Sequence, residues 1–181
     1  MTTEHKIKTL TELAATVAAL KQQGKVIVHC HGVFDLLHPG HFRHFEAARR
    51  LGDVLIVTLT RDEFVNKGPG RPVFNQRLRA ESVAALASVD FVAINDWPTA
   101  VNTINLLRPD IYVKGSEYAQ RDQDLTGKIY DEEHAVEAVG GRLAFTDDIT
   151  FSSTQLLNNY FNVFSAEADA FLRDFRQHYS A

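Results

Sequence analysis

The sequence is poor in cysteine, in long apolar runs and in clustered positive charge. Cys30 is the only cysteine among 181 residues. That excludes an internal disulfide and an intrachain thiolate metal cluster, and it fits a reducing cytoplasm. No apolar run reaches the roughly eighteen residues that a membrane-spanning helix needs, and the N-terminus lacks the long apolar centre of an export signal. The net charge is −4, and lysine and arginine form no dense run. Neither nucleic acid nor a membrane is therefore an expected partner, and any anionic substrate must be met by locally arranged cations. The dinucleotide fingerprint G-x-G-x-x-G is also missing, so phosphate binding by that loop is excluded.

What is present reads as one α/β domain. With 45% hydrophobic residues the chain can bury one sizeable core, and a second full domain would be cramped. Residues 25–30 have the apolar, β-branched character of a buried strand. Residues 39–51 follow as a helix stopped by Gly52, and 54–60 as the next strand. Beyond this βαβ unit, 75–87 read as a helix, 91–94 as a strand, 98–107 as a helix with Pro98 in its first turn, and 111–114 as a strand. Residues 132–139 make a helix stopped by Gly140 and Gly141, 142–145 the last strand, and a further helix starts near Ser152. Short apolar strands separated by helices imply a doubly wound, five-stranded parallel sheet with helices on both faces. Residues 1–24 read as a helical lead-in to a domain ending near 157. Residues 158–181 read as a helical tail, in which Ser165 is the N-cap and Ala168, Phe171, Leu172 and Phe175 follow helical spacing. The tail is expected to pack at a subunit or domain junction.

Ligands of such folds sit outside the carboxyl ends of the strands, where strand order reverses. The stretch HGVFDLLHPGHFRH, residues 31–44, begins there and holds four of the eight histidines. His38 and His41, three apart at the entrance to a helix, suit a polyphosphate. Imidazoles donate hydrogen bonds to phosphate oxygens, and the free amides and positive dipole end of the helix face the same crevice. The same pair, joined by His29, His31 or His44, could instead hold a transition metal, although no carboxylate-rich cluster lies beside it. Taken singly, His29, His31 and His44 read as hydrogen-bonded structural residues. Residues 66–74 hold two glycines and two prolines around Lys67, a composition suited to a lid that carries a cation over phosphates. Arg77 stands at a helix start, where the dipole disfavours a cation and a phosphate would explain it. Lys114 ends a buried strand and is hard to justify as packing. Ser152 with Gln155 forms a capping box whose amides, with the hydroxyls of Ser153 and Thr154, could contact phosphate.

Gly32 to His41 resembles the G-x-F-D-x-x-H-x-G-H signature of the cytidylyltransferase-like nucleotidylyltransferases, relatives of the catalytic domains of class I aminoacyl-tRNA synthetases. The resemblance continues through Lys67-Gly68-Pro69-Gly70-Arg71-Pro72, Asn75-Gln76-Arg77, Pro109-Asp110-Ile111-Tyr112-Val113-Lys114-Gly115 and Phe151-Ser152-Ser153-Thr154. Within the family the chain is most similar to the heptose 1-phosphate adenylyltransferase domain type. The glycerol-3-phosphate cytidylyltransferases carry an arginine shortly before the serine-threonine motif, and residues 146–149 have none. The resemblance implies a Rossmann-like nucleotidylyltransferase fold, and transfer of AMP or CMP from ATP or CTP to a phosphorylated sugar or polyol. Pyrophosphate leaves and Mg2+ accompanies the nucleotide.

By that resemblance His38, His41 and Lys67 would be catalytic. Gly32, Val33, Phe34, Gly40, Arg77, Lys114, Gly115, Ser152, Ser153 and Thr154 would bind the nucleotide, and Asp35, Arg43, Arg71 and Glu117 the acceptor; no protein metal ligand is implied. Asp35 could alternatively satisfy turn amides, and Arg43 could be a solvated helix residue. A nucleotide-binding sensor without turnover is the competing function. Members of the family commonly form homodimers, and heptose-type members are often fused to a sugar kinase.

Overall fold

A computed structural model of the chain describes residues 3–68, 70–116, 128–146, 167, 168 and 171. Its strands are β1 (Ile27–Gly32), β2 (Val54–Thr60), β3 (Phe91–Asn95), β4 (Ile111–Gly115) and β5 (Arg142–Thr146). They form one sheet in the order β3-β2-β1-β4-β5, every neighbouring pair parallel. The doubly wound α/β reading therefore holds. All seven residues of β2 are buried, as expected of a central parallel strand covered on both faces.

The helices are α1 (Leu10–Gln22), α2 (Pro39–Arg49), α3 (Gln76–Ala84), α4 (Val101–Leu107) and α5 (Lys128–Ala138). The helical lead-in starts in a capping box: the Thr9 amide donates to Glu12 Oε2 at 2.9 Å and the Glu12 amide to Thr9 Oγ1 at 3.2 Å. Alternation along the strands divides the core. Val28, Cys30, Leu55, Val57 and Leu59 pack on Phe45 and Ala48 of α2 and on Ala80, Val83 and Ala84 of α3. On the opposite face Ile27, Val54 and Ile56 meet Leu10, Leu13 and Val17 of α1, and Tyr112 meets Ile104 of α4 and Val136 of α5. Each large apolar side chain so buried contributes about 1.5–3 kcal/mol.

Several boundaries differ from the sequence expectation. β1 starts at Ile27, not residue 25, because the Val26 amide is taken by Asp53 Oδ2 at 2.8 Å. Pro98 lies outside α4, which begins at Val101. The Asn95 side-chain amide donates to the carbonyls of Trp97 at 2.5 Å and Thr99 at 2.9 Å, and Thr103 Oγ1 donates to Asn95 Oδ1. These bonds hold 97–99 as a loop and delay the helix. α3 ends at Ala84, before residue 87, and α5 starts a turn earlier than residue 132.

Because β2 and β3 lie on one side of β1 while β4 and β5 lie on the other, strand order reverses between β1 and β4. Their carboxyl ends, Gly32 and Gly115, define the crevice. Backbone contacts group the chain into two units, Met1–Thr150 and Phe151–Ala181. In the second, residues 167, 168 and 171 are helical and Phe171 is exposed. Among the described residues no helix is long and apolar enough to cross a membrane.

Candidate active site

The loop leaving β1 is built around an unusual backbone. Phe34 has φ 46°, a left-handed conformation that bulky residues rarely adopt and that carries strain. Its ring lies over Gly32: a Cβ there would sit 2.9 Å from Phe34 Cζ. Gly32 is thus required by the packing of Phe34, whose ring contacts Phe45 at 4.9 Å and, edge-on, His41 at 5.5 Å between centroids. His38 is the N-cap of α2, followed by Pro39, Gly40 and His41 in the first turn.

The His38 amide donates to His41 Nδ1 at 3.3 Å. With Nδ1 an acceptor, neutral His41 carries its proton on Nε2 and keeps that N–H as a donor. The two rings stand 3.8 Å apart at 34°. Burial pushes His41 down to about 3, helped by the positive charge that His38, His44 and Lys67 would bring. Burial lowers His38 as well. Both rings are therefore neutral near pH 7. They are stacked at a helix N-terminus, a place that concentrates positive potential without a full charge.

A second layer fastens residues 66–74 to this loop. Gly68 and Gly70 have φ 92° and 71° with open space where a Cβ would stand, so the turn uses their conformational freedom. It carries the exposed Lys67 close enough for its charge to act on His41. Asp35, with a side chain 1% exposed, accepts from Arg71 Nε at 2.8 Å and from the amides of Val73 at 2.9 Å and Phe74 at 3.0 Å. Burial raises the Asp35 pKa, but the Phe74 and Val73 amides and the Arg71 guanidinium outweigh it and hold the carboxyl below its usual range. The amides that Asp35 satisfies belong to a segment 38 and 39 residues away, not to its own turn.

Arg79 was not among the residues that sequence reasoning singled out, and it is fully buried. Its guanidinium donates to the carbonyl of Phe74 at 3.1 Å, to that of Val33, to that of Thr60 at 2.7 Å, and to Asp62 Oδ1 at 2.7 Å. One side chain thereby joins the signature loop, the end of β2 and the end of the 66–74 segment. The signal for it was helical spacing: Arg79 shares the inward face of α3 with Ala80, Val83 and Ala84. Arg77, expected to bind nucleotide phosphate, instead has a side chain 82% exposed and paired with Glu81 at 3.1 Å. Glu81 one turn on, with the Asn75 cap, removes the need for a phosphate to explain it.

Lys114 reaches Glu132 Oε2 of α5 at 2.7 Å in a pair shielded from water. It stands at the crevice as expected, already neutralised by a carboxylate that the sequence did not single out. Gly115 ends β4 beside it. Arg43 is exposed on α2. His29, His31 and His44 each have structural partners: His29 Nε2 and His31 Nδ1 bond Thr58 Oγ1 at 2.7 and 2.9 Å, and His44 Nδ1 bonds Thr146 Oγ1 at 2.8 Å. Among the described residues no three His, Cys, Asp or Glu side chains converge as a metal site. Glu117, Ser152, Ser153 and Thr154 lie outside the described residues.

Residues 29–159 match the family model described as cytidylyltransferase-like. The chain is 42% identical over 151 residues to the bifunctional protein HldE of Methylobacillus flagellatus, covering 82% of this chain and 30% of that protein. It is 39% identical over 160 residues to the bifunctional protein HldE of Desulfatibacillum aliphaticivorans, covering 87% and 31% respectively. It thus spans about a third of the length of the curated relatives it matches. Among solved structures, the lipopolysaccharide core biosynthesis protein of Thermoplasma volcanium aligns with a TM-score of 0.56 at 23% identity, over 71% of this chain and all of that one. Pantothenate synthetase of Thermus thermophilus aligns with a TM-score of 0.55 at 16% identity, over 92% of this chain and 70% of that one. At these identities the solved structures speak for the fold alone.

Proposed function

The chain belongs to the cytidylyltransferase-like family and carries a nucleotidyltransferase domain, and from that premise we propose that it moves AMP or CMP from ATP or CTP onto a phosphorylated sugar or polyol. An oxygen of the acceptor phosphate forms a bond to the α-phosphorus. The bond from that phosphorus to the bridging oxygen breaks, and pyrophosphate leaves with the electron pair. The observation that carries the reading is the His38–His41 stack, rings 3.8 Å apart at the first turn of α2. His41 Nε2–H and His38 donate to phosphate oxygens and stabilise the charge that shifts as the bonds exchange. Neutral rings cost little to bury, and each becomes a stronger donor as polyphosphate charge arrives beside it.

In this reading Lys67 is the cation that the 66–74 segment holds over the leaving phosphates. The backbone of Gly32, Val33 and Phe34 lies along the nucleotide, and Gly40 keeps the helix entrance open. Lys114 and Gly115 line its far side, and the nucleotide-binding role of Ser152, Ser153 and Thr154 rests on the family resemblance. The triphosphate would be taken up as its Mg2+ complex, in which the cation would offset part of the phosphate charge. Homodimerisation, a place within a longer bifunctional enzyme and a cytoplasmic setting belong to the same proposal. The test is a matrix of ATP and CTP against sugar 1-phosphates and polyol phosphates, read by pyrophosphate release. Turnover with one nucleotide–acceptor pair is expected. Nucleotide binding without release for every acceptor would replace the transferase with a nucleotide-binding sensor.

A further inference from the structure

Arg71 is bonded on one side only. Its side chain is 8% exposed, and Nε donates to Asp35 Oδ2 at 2.8 Å. Nη2 is buried and has no hydrogen-bond partner among the described residues. A guanidinium carries donors on every nitrogen and cannot shed its charge, so a buried, empty N–H marks a place where an acceptor belongs. Asp35 does not supply it: its oxygens take the Arg71 Nε–H and the amides of Val73 and Phe74, and neither bonds Nη2.

The neighbouring cations are committed to acceptors, although Arg61 Nε, like Arg71 Nη2, is buried without a partner among the described residues. Arg79 spends its guanidinium on three carbonyls and Asp62. Lys114 has Glu132, Arg77 has Glu81, and Arg61 has Asp96 at 2.5 Å. With a side chain 8% exposed against 38% for Arg61, Arg71 is therefore the more buried of the two cations whose bonding is incomplete. With Nε held by a carboxylate, the Nη1–Nη2 end of the fork is the part left for a ligand, and that end matches two oxygens of one phosphate.

We propose that Arg71, held by Asp35, is the anchor for the phosphate group of the acceptor. This rests on the transferase reading, which requires two phosphate groups to meet in one crevice. The triphosphate is provided for by the N-terminus of α2, His38, His41 and Lys67; the acceptor phosphate needs a cation of its own. Asp35 sits three residues before His38 and ties Arg71 to the same loop that carries the histidines. The guanidinium thereby keeps one orientation while its Nη2 donor is left uncommitted, which lowers the ordering cost of binding. Asp35 is a positioning residue in this scheme and Arg71 the group that touches substrate. Specificity for a phosphate monoester over the unphosphorylated sugar follows, because an acceptor without that dianion leaves the buried Nη2 donor unsatisfied.

The experiment compares the full chain with Arg71→Gln and Arg71→Lys in two arms. In the first, KM is measured separately for acceptor and nucleotide with the pair that wild type turns over. Arg71→Gln should raise the acceptor KM by about 10–100-fold, as expected for loss of a charge-assisted bond, and leave the nucleotide KM within about threefold. Arg71→Lys should recover little, since a point charge does not reproduce the fork. A loop that has merely come undone would displace Lys67 and raise both KM values together, and that result would overturn the proposal. In the second arm, inorganic phosphate is titrated against thermal unfolding without any nucleotide. Phosphate should raise the wild-type midpoint and leave Arg71→Gln unmoved, while tripolyphosphate, a probe of the nucleotide side, stabilises both. Equal stabilisation of both proteins by inorganic phosphate would sink the assignment. If wild type turns over no acceptor at all yet binds phosphate through Arg71, the transferase reading fails and the anion site stands.

Discussion

Acidification should unfold this domain through His29, and the size of the effect follows from its burial. His29 is completely buried on β1, its Nε2 bonded to Thr58 Oγ1 at 2.7 Å. Burial, with the charge of Lys114 nearby, pushes it down to about 3. In the unfolded chain a histidine titrates near 6.5. Between those values the unfolded state binds a proton that the native state refuses, so stability rises with pH across that window and levels off above it. At pH 5 the native state has lost about 2 kcal/mol relative to pH 7 on account of this one residue. That is a large part of the 5–15 kcal/mol that a domain usually has.

His29→Gln removes the titration while placing an amide where Nε2 was, so the bond to Thr58 survives. Urea unfolding at pH 7, 6 and 5, followed by far-UV circular dichroism and by the single tryptophan, Trp97, measures the difference. The variant should be less sensitive to acid than wild type by about 2 kcal/mol between pH 7 and 5, whatever its stability at pH 7. His41, also held near 3, titrates in both proteins and cancels. Parallel curves for the two proteins would refute the reasoning, because a neutral buried His29 could not then be the source of the acid loss.

Three further outcomes follow from the geometry. His38→Ala or His41→Ala should lower turnover in the pyrophosphate-release assay by about two to four orders of magnitude while leaving the circular dichroism spectrum intact. Arg79→Met, which strands the Asp62 carboxylate and the buried carbonyls of Val33 and Thr60, should cost about 3–5 kcal/mol in chemical denaturation, and a loss below about 1 kcal/mol would show that water replaces the guanidinium. Gly32→Ala should cost about 1–3 kcal/mol by overpacking against the Phe34 ring and weaken nucleotide binding in calorimetry, whereas an unchanged melting midpoint would mean that the ring moves aside freely.

The sheet was legible because a central parallel strand announces itself. Val54 to Thr60 is almost wholly apolar, and burial on both faces is the arrangement that suits such a run. The ends of elements were harder to read, and the reason is local chemistry that propensity does not weigh. Pro98 is a good first-turn residue, yet the side chain of Asn95 ties the backbone of 97–99 into a loop and Thr103 braces Asn95 from within α4. A polar side chain satisfying nearby carbonyls outcompeted a helix start. At β1 the Asp53 carboxylate claimed the Val26 amide, which the expected strand would have needed for its ladder.

The candidate site divides along the same line. His38 and His41 could be read in advance because their chemistry is written within four consecutive residues, and α2 brings them together without help from the rest of the chain. Arg79 and Glu132 could not, and Asp35 was a candidate whose partners could not be named, since what each does depends on a group brought near only by the fold: Val33 is 46 residues from Arg79, and Arg71 is 36 from Asp35. A buried cation on a helix face was visible in the spacing of Arg79 with Ala80, Val83 and Ala84, but spacing alone does not say which carbonyls await it. Arg77 drew the attention because it stands at the helix start, where a cation is out of place; Glu81 answers that locally. An unfavourable charge is thus weak evidence for a ligand while an opposite charge lies one turn away. A buried donor with no partner, such as Arg71 Nη2, is strong evidence, because nothing within the described residues relieves its cost.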